Sequence, residues 1–365
     1  MLTLRYRYII STLGLIVMLL WLGGCSTLPQ YLPAEPPILT GDQRARVGAA
    51  VEPKLIQLIG GPYHDQRLAE DLNQLGNRQA QGSRPVNIVI ADRNATALYP
   101  LPGGRIIVTR GLLAGLHSRD ELEAMVTLAG QLAERVYREP TSRSMVEATE
   151  QVLATKESWH DPDAASIRLA RYFEEHACTE ECLAPVQGVR STTGSASIVG
   201  LPASFKQLRE RLPGYELMAR AREFEKAEEQ GKAIATYLQA AATAPDEPQI
   251  LGALGLAYLR AGQTQPARLH LQKAVKLQPD YYRTLMGLGY LYLQQGQLQQ
   301  ANELLADSVR RLAVAENLFL LAEAREKSGD IKGAMALYRL VSDTDPYSKL
   351  GRTSAERLTQ PAGAQ

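Results

Sequence analysis

Histidine is scarce in this chain, with five among 365 residues and none between His117 and His160. A zinc-peptidase helix needs two imidazoles one turn apart, so that long stretch cannot supply them. Cysteine is rarer still, at three residues, and setting Cys25 aside as part of a leader leaves one even pair, Cys178 and Cys182. Net charge is almost absent: the formal value is +1, and loss of a leader carrying Arg5 and Arg7 turns it into −1. No global field therefore recruits nucleic acid, and no stretch resembles a nucleic-acid module. The apolar run from Ile9 to Leu22 is too short for a comfortable membrane span. What is present is an ordinary globular composition, 45% hydrophobic and 22% charged, on a chain long enough for two or three domains.

The basic start, the short apolar core and the small residues of Leu22-Gly23-Gly24-Cys25 mark residues 1–24 as a signal peptide. That ending resembles a bacterial lipobox, which implies that Cys25 is the acylated first residue of the mature protein; the rival reading is a free thiol. Acyl chains would tie the protein to a membrane. With Ser26 after the cysteine, the resemblance implies the periplasmic face of the outer membrane. Residues 25–40 form a tether, rich in Pro and small polar residues as far as Pro37.

From Gly41 to Gly76 apolar residues recur at helical spacing, Val47, Val51, Leu55 and Leu58, then Leu68, Leu72 and Leu75, with a break at Gly60-Gly61-Pro62-Tyr63. Val86 to Ala91 alternates as a strand, and Arg105 to Thr109 reads as a second behind a Pro102-Gly103-Gly104 turn. Helical spacing returns from Leu122 to Tyr137. Asn94-Ala95, Pro102-Gly103-Gly104, Thr109-Arg110-Gly111-Leu112-Leu113 and Glu121-Leu122-Glu123-Ala124 together resemble the membrane-associated gluzincin zinc peptidases of the HtpX and BepA kind. One departure is a longer spacing before the Pro-Gly-Gly turn, through Leu98-Tyr99-Pro100.

In that family the next segment is His-Glu-x-x-His, and here those positions carry Leu128-Ala129-Gly130-Gln131-Leu132. Leucine can only pack, so the resemblance implies a peptidase shell with no catalytic residue, no metal and no cofactor. Asn94, Pro102, Gly103, Gly104, Leu128 and Leu132 would line a vestigial cleft, or the first four simply make turns. Asp161-Pro162-Asp163, the best match for the family's third ligand, also reads as a helix cap. For Cys178 and Cys182 a local disulfide is expected in an exported protein, at helical spacing; free thiols or a metal site with His176 are the alternatives. Gln187 to Ser197 reads as a loop.

Beyond Leu212-Pro213-Gly214 the chain repeats itself. Ala233, Ala267, Ala301 and Ala334 are spaced by 34, 34 and 33, and Tyr237, Leu271, Leu305 and Tyr338 follow each by four. Pro245, Pro279 and Pro346 close units, and Leu254-Gly255 and Leu288-Gly289 open the middle two. This is the tetratricopeptide pattern, in which pairs of helices stack because none buries its apolar face alone. The expected organisation is 41–200 degenerate gluzincin-like domain, 201–213 linker or cap helix, 214–348 four repeat units with the first irregular around Glu228 to Gly231, and 349–365 tail. The fold class is thus an α+β metallopeptidase-like domain followed by an all-α solenoid.

Family positions facing the concave groove map to Leu256, Leu259, Arg260, Met286, Tyr290 and Leu293, which suit a protein or peptide segment of a partner or, equally, contact with the first domain. The expectation is a lipid-anchored periplasmic scaffold, adaptor or chaperone-like protein of envelope assembly or export, without nucleic acid as partner. The alternatives are an active metallopeptidase of outer-membrane quality control, with ligands such as His160, Asp161 and His176, and a repeat lipoprotein of an exopolysaccharide secretion system.

Overall fold

A computed structural model describes residues 39–79, 86–135, 143–154, 164–193 and 200–359. Cys25, the signal peptide, nearly all of the tether, His160 and the Asp161-Pro162-Asp163 segment lie outside these residues. Within them, no helix is long and apolar enough to cross a membrane.

The first domain begins where a capping box begins. Thr40 Oγ1 accepts from the Gln43 amide while Gln43 Oε1 accepts from the Thr40 amide, which satisfies two of the free donors at the start of α1 (Gly41–Leu58). The Gly60-Gly61 break, with both glycines at positive φ, turns the chain into α2 (Gln66–Gln79). Three strands follow: β1 (Asn87–Ala91), β2 (Leu98–Leu101) and β3 (Arg105–Thr109), in the order β1-β3-β2, with β1 parallel and β2 antiparallel to β3. The helices α3 (Arg110–Ala114), α4 (Arg119–Arg135), α5 (Arg143–Ala154), α6 (Ala164–Glu175) and α7 (Ala184–Thr193) complete the domain.

Strand alternation sorts the side chains onto two cores. Ile88, Ile90, Ile106 and Val108 face Leu72, Met125 and Val126 of α2 and α4. Tyr99, Leu101 and Ile107 face Val51, Leu55, Leu169 and Phe173 of α1 and α6. The sheet is therefore filled from both sides.

Three sequence expectations need correction here. Leu98-Tyr99-Pro100, read as extra spacing, is the edge strand β2, where a proline is tolerated. The expected loop after Gln187 is instead part of α7, which Leu183 and Val186, both buried, hold to the core; residues 194–199 fall outside the description. Cys178 and Cys182 are joined as expected, with Cα atoms 5.2 Å apart, but in a turn and not a helix: Cys178 pairs through its backbone with Leu98 at the outer edge of β2. The bond leaves neither sulfur free as a metal ligand beside His176, whose ring stacks on Tyr172.

The second half is four helix pairs. They are α8 (Ser204–Lys226) with α9 (Gln230–Thr243), α10 (Pro248–Arg260) with α11 (Thr264–Leu277), α12 (Tyr282–Gln294) with α13 (Leu298–Arg311), and α14 (Ala315–Lys327) with α15 (Ile331–Thr344). The four aligned alanines and the four large residues after them are all buried on the second helix of each pair. Gly255 and Gly289 on the first helices admit Leu271 and Leu305: a Cβ on either glycine would come within 2.7 or 2.8 Å of the leucine. In the outer pairs Ala221 and Ala322 stand where those glycines do, against Tyr237 and Tyr338.

The boundary at Leu212-Pro213-Gly214 and the tail at 349–365 are also corrected. Pro213 sits inside the continuous α8, because Leu208, Tyr215 and Met218 keep one buried face through it and Gly214 lets α9 approach. Residues 349–359 are not a tail but a further helix: α16 (Lys349–Thr359) covers the last pair, and Arg357 reaches Glu326. The irregularity around Glu228 has a local cause. Glu228 adopts φ 60° where the later units have Gly262, Gly296 and Gly329, all at positive φ.

Candidate functional site

The residues that resemble a peptidase motif are engaged in holding the fold. Thr109 caps α3, its Oγ1 accepting from the Leu112 amide. Gly111 leaves room for the Asn94 carbonyl, which a Cβ would meet at 1.9 Å. Ser118 and Glu121 form the reciprocal contacts that start α4. Gly103 and Gly104, at φ 79° and 78°, turn β2 into β3 and lie against α1, where a Cβ on Gly103 would strike Ala45 at 2.6 Å.

The expected vestigial cleft is not one place. Asn94 follows the C-terminal end of β1, whereas Pro102-Gly103-Gly104 precede β3; because β1 and β3 are parallel, the two groups lie at opposite ends of the sheet. Leu128 and Leu132 pack on the core formed with α2 and α7. Among the described residues no group of three or more His, Cys, Asp or Glu is arranged to hold a metal ion.

Asn94 belongs instead to a buried seam between the first domain and the repeats. Arg110, on the Thr-Arg-Gly stretch, donates from Nε to Asp92 Oδ1 at 2.7 Å, contacts Asn94 Oδ1, and lies 3.5 Å from the ring centre of Tyr215. The Tyr215 hydroxyl is 3.0 Å from Asp92 Oδ2 and 2.5 Å from Glu247 Oε2. Arg211 Nε completes the chain at 2.9 Å from Glu247 Oε1. One phenolic proton thus serves two carboxylates, and a guanidinium neutralises each. Burial pushes the Tyr215 phenol well above its usual pKa, with the carboxylates of Asp92 and Glu247 adding to the rise. Burial likewise raises Glu247 from the ordinary carboxylate range, against the pull of Tyr215 and Arg211.

The seam continues along the loops that join one helix pair to the next. Gln278 Nε2 donates to the Pro62 carbonyl at 2.7 Å, Gln57 bridges the Asp280 carbonyl and the Tyr282 amide, and Lys54 Nζ donates to the Arg310 carbonyl. His64 pairs with Asp280 at 3.1 Å, a hydrogen bond that raises the imidazole above its ordinary pKa. The first domain is docked on this edge of the array, and one apolar cluster runs without interruption from Leu72 through Phe205 to Tyr258.

Where the docked domain meets the inner faces of α8, α10 and α12, a cavity of about 450 Å³ remains. Asn94, Leu256 and Arg260 all line it, so residues singled out in two separate parts of the sequence converge here. Arg93, Glu174, Arg222, Glu225, Tyr281 and Arg283 line it as well and had not been singled out. The repeat register held the clue to Arg222, which precedes Leu256 by one period of 34, as Leu256 precedes Tyr290. Nothing local marks Arg93 or Glu174, because docking alone brings them there. The other expected groove residues behave differently. Leu293 is buried among Ala301, Leu305 and Leu321 with Met286 packed beside it, and Leu259 packs on the main core; these side chains fill space between helices. Tyr290 is half-buried and its hydroxyl accepts from Gln294.

A stack of paired helices with a lined inner face defines a helical repeat scaffold. Family models described as Tetratricopeptide repeat match residues 218–282 and 258–316, so these units are tetratricopeptide repeats, modules that bind protein or peptide partners. Among solved structures, a MamA fragment from Desulfovibrio magneticus RS-1 is 19% identical, covers 40% of this chain and 91% of its own, and has a TM-score of 0.35. YrrB, described as a repeat protein with an unusual peptide-binding site, is 15% identical over 42% of this chain and 79% of its own, with a TM-score of 0.35. The Sgt2 repeat domain from Aspergillus fumigatus is 21% identical over 33% of this chain and 82% of its own, with a TM-score of 0.31. The search of curated proteins finds no match.

Proposed function

We propose that this chain is a lipid-anchored scaffold, adaptor or chaperone-like protein of the bacterial cell envelope, tied through Cys25 to the periplasmic face of the outer membrane. Its first domain is a peptidase-like shell that does not cleave, and its repeats hold a segment of a partner in envelope assembly or export. The observation that carries this reading is the cavity at the inner face of α8, α10 and α12, walled by the Arg93-Asn94 loop of the first domain. A docked domain that walls a binding face contributes to recognition without chemistry. The leucines at 128 and 132 support the same view, since they pack where the resembling family grips zinc.

Purified mature protein provides the test. Metal analysis is expected to find no stoichiometric zinc, and casein to stay intact with or without chelator. Stoichiometric zinc together with chelator-sensitive cleavage would overturn the proposal. Labelled palmitate is expected to enter the wild-type protein and not Cys25→Ser, and equal labelling of both would remove the anchor.

A further inference from the structure

The seam between the two halves is short of hydrogen. Asp65, Asp92 and Glu247 are all more than nine-tenths buried, and they share two guanidiniums, Arg110 and Arg211. Arg110 faces Asp92, whereas Arg211 is divided: its Nε holds Glu247 at 2.9 Å while Nη1 reaches the Tyr63 hydroxyl at 3.2 Å and Asp65 at 3.7 Å. The Arg211 side chain is also 35% exposed, so water screens part of its charge. With all three carboxylates ionised, the group carries a surplus negative charge in a place that water hardly reaches. The count of hydrogens agrees at one atom. The Tyr215 hydroxyl has a single hydrogen and stands 3.0 Å from Asp92 Oδ2 and 2.5 Å from Glu247 Oε2. When that hydrogen points at one oxygen, the other contact sets lone pair against lone pair. Glu247 finds no relief in its own helix, because its side chain makes no capping bond at the start of α10.

We propose that Glu247 is a buried proton-binding site: in the docked molecule its carboxyl holds a proton taken from solvent and donates it to the Tyr215 oxygen, while Tyr215 donates to Asp92. Arg211 keeps its bond to Glu247 Oε1 throughout. Each short contact then has its own hydrogen, and the surplus charge is gone. The surroundings of the carboxyl favour this form. Burial is the largest influence raising it and Asp92 adds to the rise, against the pull of Tyr215, Arg211 and Arg110. On the solvent side Glu210 pairs with Lys206 and Asp246 with Lys273, so the outer charges are matched among themselves. A value raised by folding means that the site stabilises the docked form in acid and ceases to do so as pH climbs through that value. Asp92 directly precedes the Arg93-Asn94 loop that walls the cavity, so the same proton firms that end of the groove. The site does not depend on what the repeats hold.

Infrared difference spectroscopy reads the proton directly. Full mature protein carrying carbon-13 in its glutamate carboxyls is titrated in a Glu323→Gln background, because burial raises that carboxyl as well. A labelled carboxylic-acid band that persists above the ordinary carboxylate range is expected, and it should vanish when Glu247→Gln is added. Thermal melting is then compared across the same pH range with and without Glu247→Gln, whose amide can donate to Tyr215 and accept from Arg211 as the protonated carboxyl does. The glutamine variant is expected to match its parent in acid and to melt progressively higher than it as pH rises, a sign that a purely structural role does not produce. His64 is present in both proteins and cancels from the difference. Absence of a labelled acid band above the ordinary range would overturn the proposal, even with a variant that fails to fold. A band that survives Glu247→Gln, or a melting difference that stays constant with pH, would overturn it too.

Discussion

Two pairs of arginines in this molecule have opposite surroundings. Arg110 and Arg211 lie in the seam, each against a carboxylate that also shares the Tyr215 hydroxyl, and Arg110 is almost wholly buried at 3% side-chain exposure. Arg222 and Arg283 line the cavity outside the ion pairs found among the described residues, Arg283 lying over the Tyr282 ring and within the influence of the Glu316 carboxylate. A buried charge with its partners in place fixes one arrangement of two domains, and removing either partner strands the other. A charge near the surface and outside a close ion pair adds little to stability. The difference separates what builds the groove from what the groove presents.

The sharpest way to test that contrast is at the seam. Arg110→Met leaves Asp92 buried without its cation, and is expected to cost about 3–5 kcal/mol in urea unfolding monitored by circular dichroism. Tyr215→Phe removes the single proton that serves Asp92 and Glu247, and about 1–3 kcal/mol should be lost in the same assay. A loss below 0.5 kcal/mol in either would make the seam incidental.

Acidity probes its outer margin. The His64 pKa is raised in the folded protein, so its contribution is complete below the unfolded value near 6.5 and disappears as pH climbs through the folded one. Thermal melting is therefore expected to fall between mildly acid and mildly alkaline pH, and His64→Gln to flatten that part of the profile. An unchanged profile in the variant would remove His64 from the seam. The smallest effect belongs to the cavity: Arg222→Gln with Arg283→Gln should shift unfolding by less than about 0.5 kcal/mol. A larger loss would place these arginines in the framework instead.

The repeats were legible because their physics is periodic. Ala233, Ala267, Ala301 and Ala334 had to be small at a fixed interval, and all four are buried. The helical spacing that starts the first domain at Gly41 was legible in Val47, Val51 and Leu55, whereas the Thr40 capping box that fixes the helix start was not singled out. The seam was not legible: Asp92, Arg110, Tyr215 and Glu247 occupy separate elements, and no spacing relates them. Two local signals also misled. Pro100 hid an edge strand that tolerates proline, and Pro213-Gly214 suggested a boundary where packing of Tyr215 and Met218 carries α8 through. The motif around Thr109-Arg110-Gly111 was legible as a unit, but its work here, a cap, a buried ion pair and a close backbone contact, becomes visible only with Asn94 and Asp92 in place.

The account depends on the inner face being where a partner lies, and photo-crosslinking in intact cells tests that most directly. A benzophenone side chain placed at Leu256, in the cavity wall, is compared with one at Leu269, which is 66% exposed. The account predicts a discrete adduct with another protein from position 256 and none from 269; an adduct from 269 with none from 256 would contradict it.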